Sequence, residues 1–396
     1  MDMTSDEKIR PHELGKERES AILVLADGTC FSGVAVGASG RTVGEVVFNT
    51  GMTGYQEVLT DPSYRGQVVT FTAPHIGNYG VNEEDGESTR IQAVGAVVRE
   101  VSRRASNHRS VLGFEEWLNR EGIVAIGQVD TRALTRHLRE GGVNMGVIVH
   151  GAGPEDAAAA LSLLERHPDY GATDFVEDVA TTGALRVTLR GDDPWESELQ
   201  FKPVDDSQVT DSPHVVVVDF GVKFSILRHL LERDVTVTLV PRDVDDQGLA
   251  NLKPDGILFS NGPGDPARLE NWHPRIRAIS ESYPTFGICL GHQLLAGAYG
   301  AKTYKLPYGH RGPNQPVKKL SDQTVAITSQ NHGFCVDRDS MPECLEITEV
   351  NLNDDTVAGF RHRTAPIVAV QYHPEAGPGP RDATSCFDEF VDRLRP

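Results

Sequence analysis

The rhythm of hydrophobic and polar positions changes about half-way along the chain. From Ala21 the run Ala-Ile-Leu-Val-Leu opens a series of short strand-like stretches separated by turns. Ala26-Asp27-Gly28 predicts a hairpin, and Glu45-Val46-Val47-Phe48 predicts a further strand. Few helical patterns precede Phe114. Leu134 and Leu138 stand four apart behind Asp130 or Thr131 as N-cap and ahead of Gly141-Gly142 as a stop, which predicts a helix whose arginines form a solvated or interface face. The alanine-rich stretch 155–166 reads as another helix. Between Thr188 and Ser212 the chain turns polar, with Gly, Asp and Pro, as at a passage between domains. Continuous apolar runs at about 215–219, 235–240, 256–260 and 284–288 then predict strands buried on both faces, with helices between them. The predicted fold class is α/β: a β-rich α+β domain over 20–190, a linker over 191–212, and a doubly wound, mainly parallel sheet over 213–396. The polar, aperiodic stretch 1–19 reads as a disordered extension.

A chain of 396 residues is long for one domain, which agrees with that division. No apolar run approaches the 18 residues or so of a membrane span, and the charged N-terminus is unlike a signal peptide, so a cytoplasmic location is expected. The five cysteines are odd in number and contain no Cys-x-x-Cys pair; neither a disulfide framework nor a zinc site is expected. Asp and Glu number 57 against 38 Lys and Arg, a formal charge of −19 that repels nucleic acid and anionic membranes. Arginine outnumbers lysine, which says nothing about a reaction.

Candidate chemistry centres on Gly287-Ile288-Cys289-Leu290-Gly291-His292-Gln293. The apolar run before it predicts a strand, and Leu294, Leu295 and Ala298 after it recur at helical spacing, so Cys289 falls on a strand-to-helix turn. Glycines two residues away on each side permit the sharp elbow that exposes a nucleophile. A helix N-terminus favours thiolate and offers N–H groups to an oxyanion. A base is available at His373, where the apolar run from Ile367 ends, and Glu375 follows two residues later to orient it. His332 and His292 lack such an orienter and read as structural, as do Cys30, Cys335, Cys344 and Cys386. Lys223, at the end of the first buried strand, reads as part of a helix-capping turn. No Walker-type phosphate loop or dinucleotide fingerprint occurs, so direct ATP binding is unsupported.

The elbow, the late His-Pro-Glu and the motif Asn261-Gly262-Pro263-Gly264-Asp265-Pro266 together resemble the triad, or class I, glutamine amidotransferases. The stretches Glu45–Glu57, Thr60–Tyr64, Ala73–Asn78 and Ile126–Glu140 extend the likeness to the small subunit of glutamine-dependent carbamoyl phosphate synthetase, from about Ser20 onward. Tyr372 stands where some members have glycine and Gly377 where serine is common; neither change removes a catalytic group. The resemblance implies Cys289, His373 and Glu375 as the triad, and Asp219–Lys223 as a loop near the active site, an alternative to the capping turn. It implies Ser63, Gly262, Gly264, Leu290, Gln293, Asn331, Gly333 and Phe334 as glutamine-binding residues, with the amide of Gly262 or Gly264 joining that of Leu290 in an oxyanion hole. Ser329–Phe334 is expected to end a strand and form a substrate-contacting loop.

The resemblance further implies hydrolysis of L-glutamine and delivery of ammonia to a large synthetase subunit that holds ATP and Mg, for carbamoyl phosphate used in arginine and pyrimidine biosynthesis. No cofactor is implied in this chain. The competing readings are an amidotransferase for another synthetase, a stand-alone thiol hydrolase, and an idle regulatory scaffold; the N-terminal domain argues against the first and the complete triad against the last.

Overall fold

A computed structural model describes residues 18–204 and 212–395. The expected extension 1–19 lies outside the described residues except for Arg18 and Glu19, and Arg18 forms a two-bonded ion pair with Glu115.

The first domain is a closed barrel. Strand Ser20–Leu25 pairs with Cys30–Gly37 across the expected Ala26-Asp27-Gly28 hairpin, and the order continues through Val124–Gly127, Gly95–Val97, Gln67–Phe71, Arg41–Asn49 and Asn144–His150, which returns to the first strand. Closure leaves no unpaired edge in this sheet. Helix Thr131–Gly141 lies where its periodicity places it. Asp130 accepts from the Ala133 amide, Leu134 and Leu138 are buried together, and Gly142 ends the helix at positive φ. The alanine-rich helix spans Ala157–Leu164.

The second domain is built on an eleven-stranded sheet. Its centre runs Thr236–Pro241, His214–Asp219, Gly256–Phe259, Thr285–Ile288 and Ile367–Val370, all parallel. Within His214–Asp219, Val216 and Val218 pack with the helix Leu290–Ala298 on one face, while Val215 and Val217 pack with Ile226, Leu230, Phe387 and Phe390 on the other. Covering on both faces explains why these strands are uniformly apolar.

Two expectations need correction. The sheet is mixed rather than mainly parallel: antiparallel strands Val357–His362, Leu345–Asn351, Thr303–Lys319 and Val325–Val336 extend one side. Their alternating, partly exposed sequences lack the signature of fully buried strands. The segment 191–212 is not simply a linker, because Leu199–Pro203 pairs with Leu185–Leu189, which in turn pairs with Thr236–Pro241. Its polar Gly-Asp-Asp-Pro stretch is a hairpin tip at the sheet edge, and residues 205–211 lie outside the described residues.

Candidate active site

Cys289 stands between strand Thr285–Ile288 and helix Leu290–Ala298, with φ 53° and ψ −101°. Positive φ in a non-glycine residue is strained and needs surroundings that enforce it. The Cys289 amide is tied to the Val370 carbonyl at 2.9 Å. A Cβ on Gly287 would come within 2.6 Å of the Leu295 side chain, and one on Gly291 would strike the Phe259 carbonyl. Strand and helix can therefore meet this closely only through glycines. The sulfur lies 3.6 Å from the Asn331 carbonyl and 3.8 Å from Gln371 Nε2.

His373 is fastened by its amide to the Ser329 carbonyl at 2.8 Å, just after strand Ile367–Val370 ends. Its Nδ1 is 2.7 Å from Glu375 Oε1, while Nε2 has no hydrogen-bond partner. Burial alone would disfavour the imidazolium. The charges of Glu375 and Cys289 outweigh it and push the His373 pKa up to about 10.

Glu375 is almost wholly buried, and burial would raise its pKa. Lys223, followed by His373, instead holds it at about 2. Lys223 Nζ donates to Glu375 Oε1 at 3.0 Å and to the Ala376 carbonyl at 2.7 Å. Lys223 does occupy the N-cap of helix Phe224–Leu231, as the sequence suggests. Its side chain, however, belongs to the charge line behind Cys289, a contact that sequence reasoning missed. The two partners are 152 residues apart, and no local pattern joins them.

Ser63, Gly262, Gly264, Gln293, Asn331, Gly333 and Phe334 all line one cavity with Cys289. Leu290 follows Cys289, its side chain against Gly262. Ser63 reaches the site from the barrel: Asp61 caps its turn, Ser63 Oγ accepts from Asn261 Nδ2 at 2.9 Å, and Asp61 Oδ2 accepts from Asn331 Nδ2 at 2.8 Å. The Gly264 amide is engaged by Tyr170 Oη at 3.0 Å. Ser329–Phe334 is not a loop after a strand. It lies inside Val325–Val336, paired irregularly with Thr303–Lys319, whose register shifts after Lys305 and Gly312. Glu45, Gln67, Tyr170 and Arg311 also line the cavity and were not anticipated. The open space is narrow, about 20 Å³.

His332 bonds the Phe334 carbonyl and Gln330, and burial holds its pKa well below the usual value. It shapes the cavity wall. His310 and Cys335 bring their ligand-type atoms within 4.8 Å of those of His332, but both imidazoles are occupied by protein hydrogen bonds. His292 packs on Phe360, with its pKa depressed by burial to about 3.

Residues 23–148 match the family described as Carbamoyl-phosphate synthase small chain, CPSase domain, and residues 216–393 match Glutamine amidotransferase class-I. The carbamoyl phosphate synthase small chain of Rhodopirellula baltica is 48% identical over 377 residues, covering 95% of this chain and 96% of that protein. The chain belongs to this family. The small chain of Escherichia coli K12 is 47% identical over 385 residues, covering 95% and 97% of the two chains. That of Nostoc is 48% identical over 382 residues, covering 95% of each. Family membership spans both domains, so the barrel that supplies Ser63 and the sheet that carries Cys289 belong to one small-chain unit.

Proposed function

We propose that this chain hydrolyses the side-chain amide of L-glutamine and delivers the ammonia to a large carbamoyl phosphate synthase subunit. The observation that carries the reading is the line Lys223, Glu375, His373 and Cys289, which ends in a cavity walled by both domains.

The Cys289 thiolate attacks the amide carbon, and the developing oxyanion is met by backbone N–H groups. Leu290 and Gly262 fill this role, because Tyr170 already engages the Gly264 amide. His373 as imidazolium protonates the nitrogen while the C–N bond breaks, leaving ammonia and a γ-glutamyl thioester. Neutral His373 then takes a proton from water as its oxygen attacks the thioester, which gives glutamate and restores the sulfur. Glu375, held by Lys223, keeps the imidazole oriented throughout. Ser63, Gln293, Asn331, Gly333 and Phe334 hold the remote end of glutamine, where binding energy is converted into orientation. ATP and Mg act on the large partner, and the carbamoyl phosphate feeds arginine and pyrimidine synthesis in the cytoplasm. Among the described residues no helix is long and apolar enough to cross a membrane.

The test uses Cys289→Ser assembled with the large subunit. Glutamine-dependent carbamoyl phosphate formation should vanish while free ammonia still supports it. Retained glutamine turnover would remove Cys289 from the mechanism.

A further inference from the structure

Arg311 is a buried cation without an anion. It is 3% exposed and lies in strand Thr303–Lys319 opposite Asn331. Nη1 donates to the Tyr308 carbonyl at 2.7 Å, and Nε has no partner. Among the described residues it forms no ion pair, since no carboxylate oxygen lies within 4.0 Å of its guanidinium nitrogens. Burying a charge without an opposite charge is costly, and a guanidinium is shaped to hold a carboxylate by two parallel hydrogen bonds.

Its place indicates which carboxylate is missing. The guanidinium lines the cavity that holds Cys289, Ser63 and Gln293. Two glycines make room for it: a Cβ on Gly309 would strike Nη1, and one on Gly333 would lie 3.2 Å from Nη2. The same cavity presents acceptors from the barrel. Gln67 Oε1 is buried and unpartnered, and Gln67 Nε2 donates to Glu45 Oε2 at 2.8 Å. Glu45 Oε1 is taken by Lys305 Nζ at 2.5 Å, so the cavity carries one unpaired cation from the sheet domain and one unpaired acceptor, Gln67 Oε1, from the barrel.

We propose that Arg311 is a substrate-positioning residue that binds the α-carboxylate of glutamine, with Gln67 Oε1 receiving its α-ammonium group. The proposal rests on glutamine being the substrate. Its consequence is selection of a free amino acid: a side-chain amide within a peptide has neither charged group and leaves Arg311 unpaired. Coupling the two ends also spans the domain boundary, so substrate binding draws barrel and sheet together.

The experiment compares native protein, Arg311→Lys and Arg311→Met, each assembled with the large subunit. Two ligands are used: glutamine, and 4-aminobutanamide, which lacks the α-carboxylate, as a competitive inhibitor. Arg311→Met should raise the KM for glutamine about 10- to 100-fold, the range for losing hydrogen bonds to a charged group, with a much smaller change in kcat. Its inhibition constant for 4-aminobutanamide should match the native value. Arg311→Lys keeps the charge but not the fork, and should shift KM by a smaller factor. Alkylation of Cys289 by iodoacetamide at the native rate checks that the site is intact. Equal weakening of both ligands, or an unchanged KM in both variants, overturns the proposal. Native complex that cannot hydrolyse glutamine would instead overturn the substrate assignment itself.

Discussion

Behind Cys289, Lys223 holds Glu375 ionised and Glu375 holds the His373 imidazole charged, all three side chains being almost wholly buried. Glu375 lowered to about 2 and His373 raised to about 10 express largely one attraction, so their effects on stability are not summed. The Glu375 contribution is present above the unfolded carboxylate value of roughly 4.3 and is lost as pH falls through about 2. The His373 contribution is complete below its unfolded value of roughly 6.5 and is lost as pH rises through about 10. Glu375→Gln removes the charge that sustains the imidazolium. The alkaline limb of kcat/KM for glutamine should therefore move to lower pH, along with a fall in rate; a limb that stays in place would show that His373 does not set it. Lys223→Met leaves a buried carboxylate short of its first partner. Denaturant unfolding should show a loss of about 3–5 kcal/mol, the range for breaking a buried ion pair by removing one member.

At the level of elements, the elbow works because two chain segments approach more closely than side chains allow. Gly291→Ala directs a methyl group at the Phe259 carbonyl, so helix Leu290–Ala298 must shift relative to strand Gly256–Phe259. The expected cost is about 1–3 kcal/mol of stability, as in overpacked cores. Glutaminase activity should also drop steeply, because the same helix carries Cys289 at its start and Gln293 along its length. Gly141→Ala is the control: nothing lies within 4 Å of the added methyl, and melting should be close to native. Equal effects at the two glycines would rule out close packing as the reason for Gly291.

Across the whole molecule, one active site is assembled from two domains. Asp61 and Ser63 reach Asn331 and Asn261, while Glu87 binds the amide and hydroxyl of Ser225 at the start of helix Phe224–Leu231. A shift of either domain is therefore felt in the cavity of Cys289 and at the turn that carries Lys223. Glutaminase activity should be slow alone and rise severalfold or more when the large subunit is added, with further acceleration during ATP turnover. Steady-state assays with and without the partner decide this. Full activity of the isolated chain, indifferent to partner and ATP, would favour an independent hydrolase.

The geometry of the candidate site was legible wherever it depended on local backbone conformation. The glycine spacing around Cys289, the strand before His373, the carboxylate two residues later and the uniformly apolar central strands are each written within a few neighbouring residues. Helix Thr131–Gly141, with its cap and stop, was legible for the same reason. What folding alone decided were encounters between distant segments. Lys223 meets Glu375, Arg311 comes to face the cavity of Cys289, and Glu45 and Gln67 cross from the barrel to the same place. The hairpin over 185–203 and the antiparallel flank of the sheet belong with these, because their half-exposed strands have weak patterns until a pairing partner is present. Sequence periodicity reports which side of an element meets the core; it does not report which charge will be waiting there. Burial supplies that information, since a cation or acceptor shut away from water must find its partner in the folded chain or in the substrate.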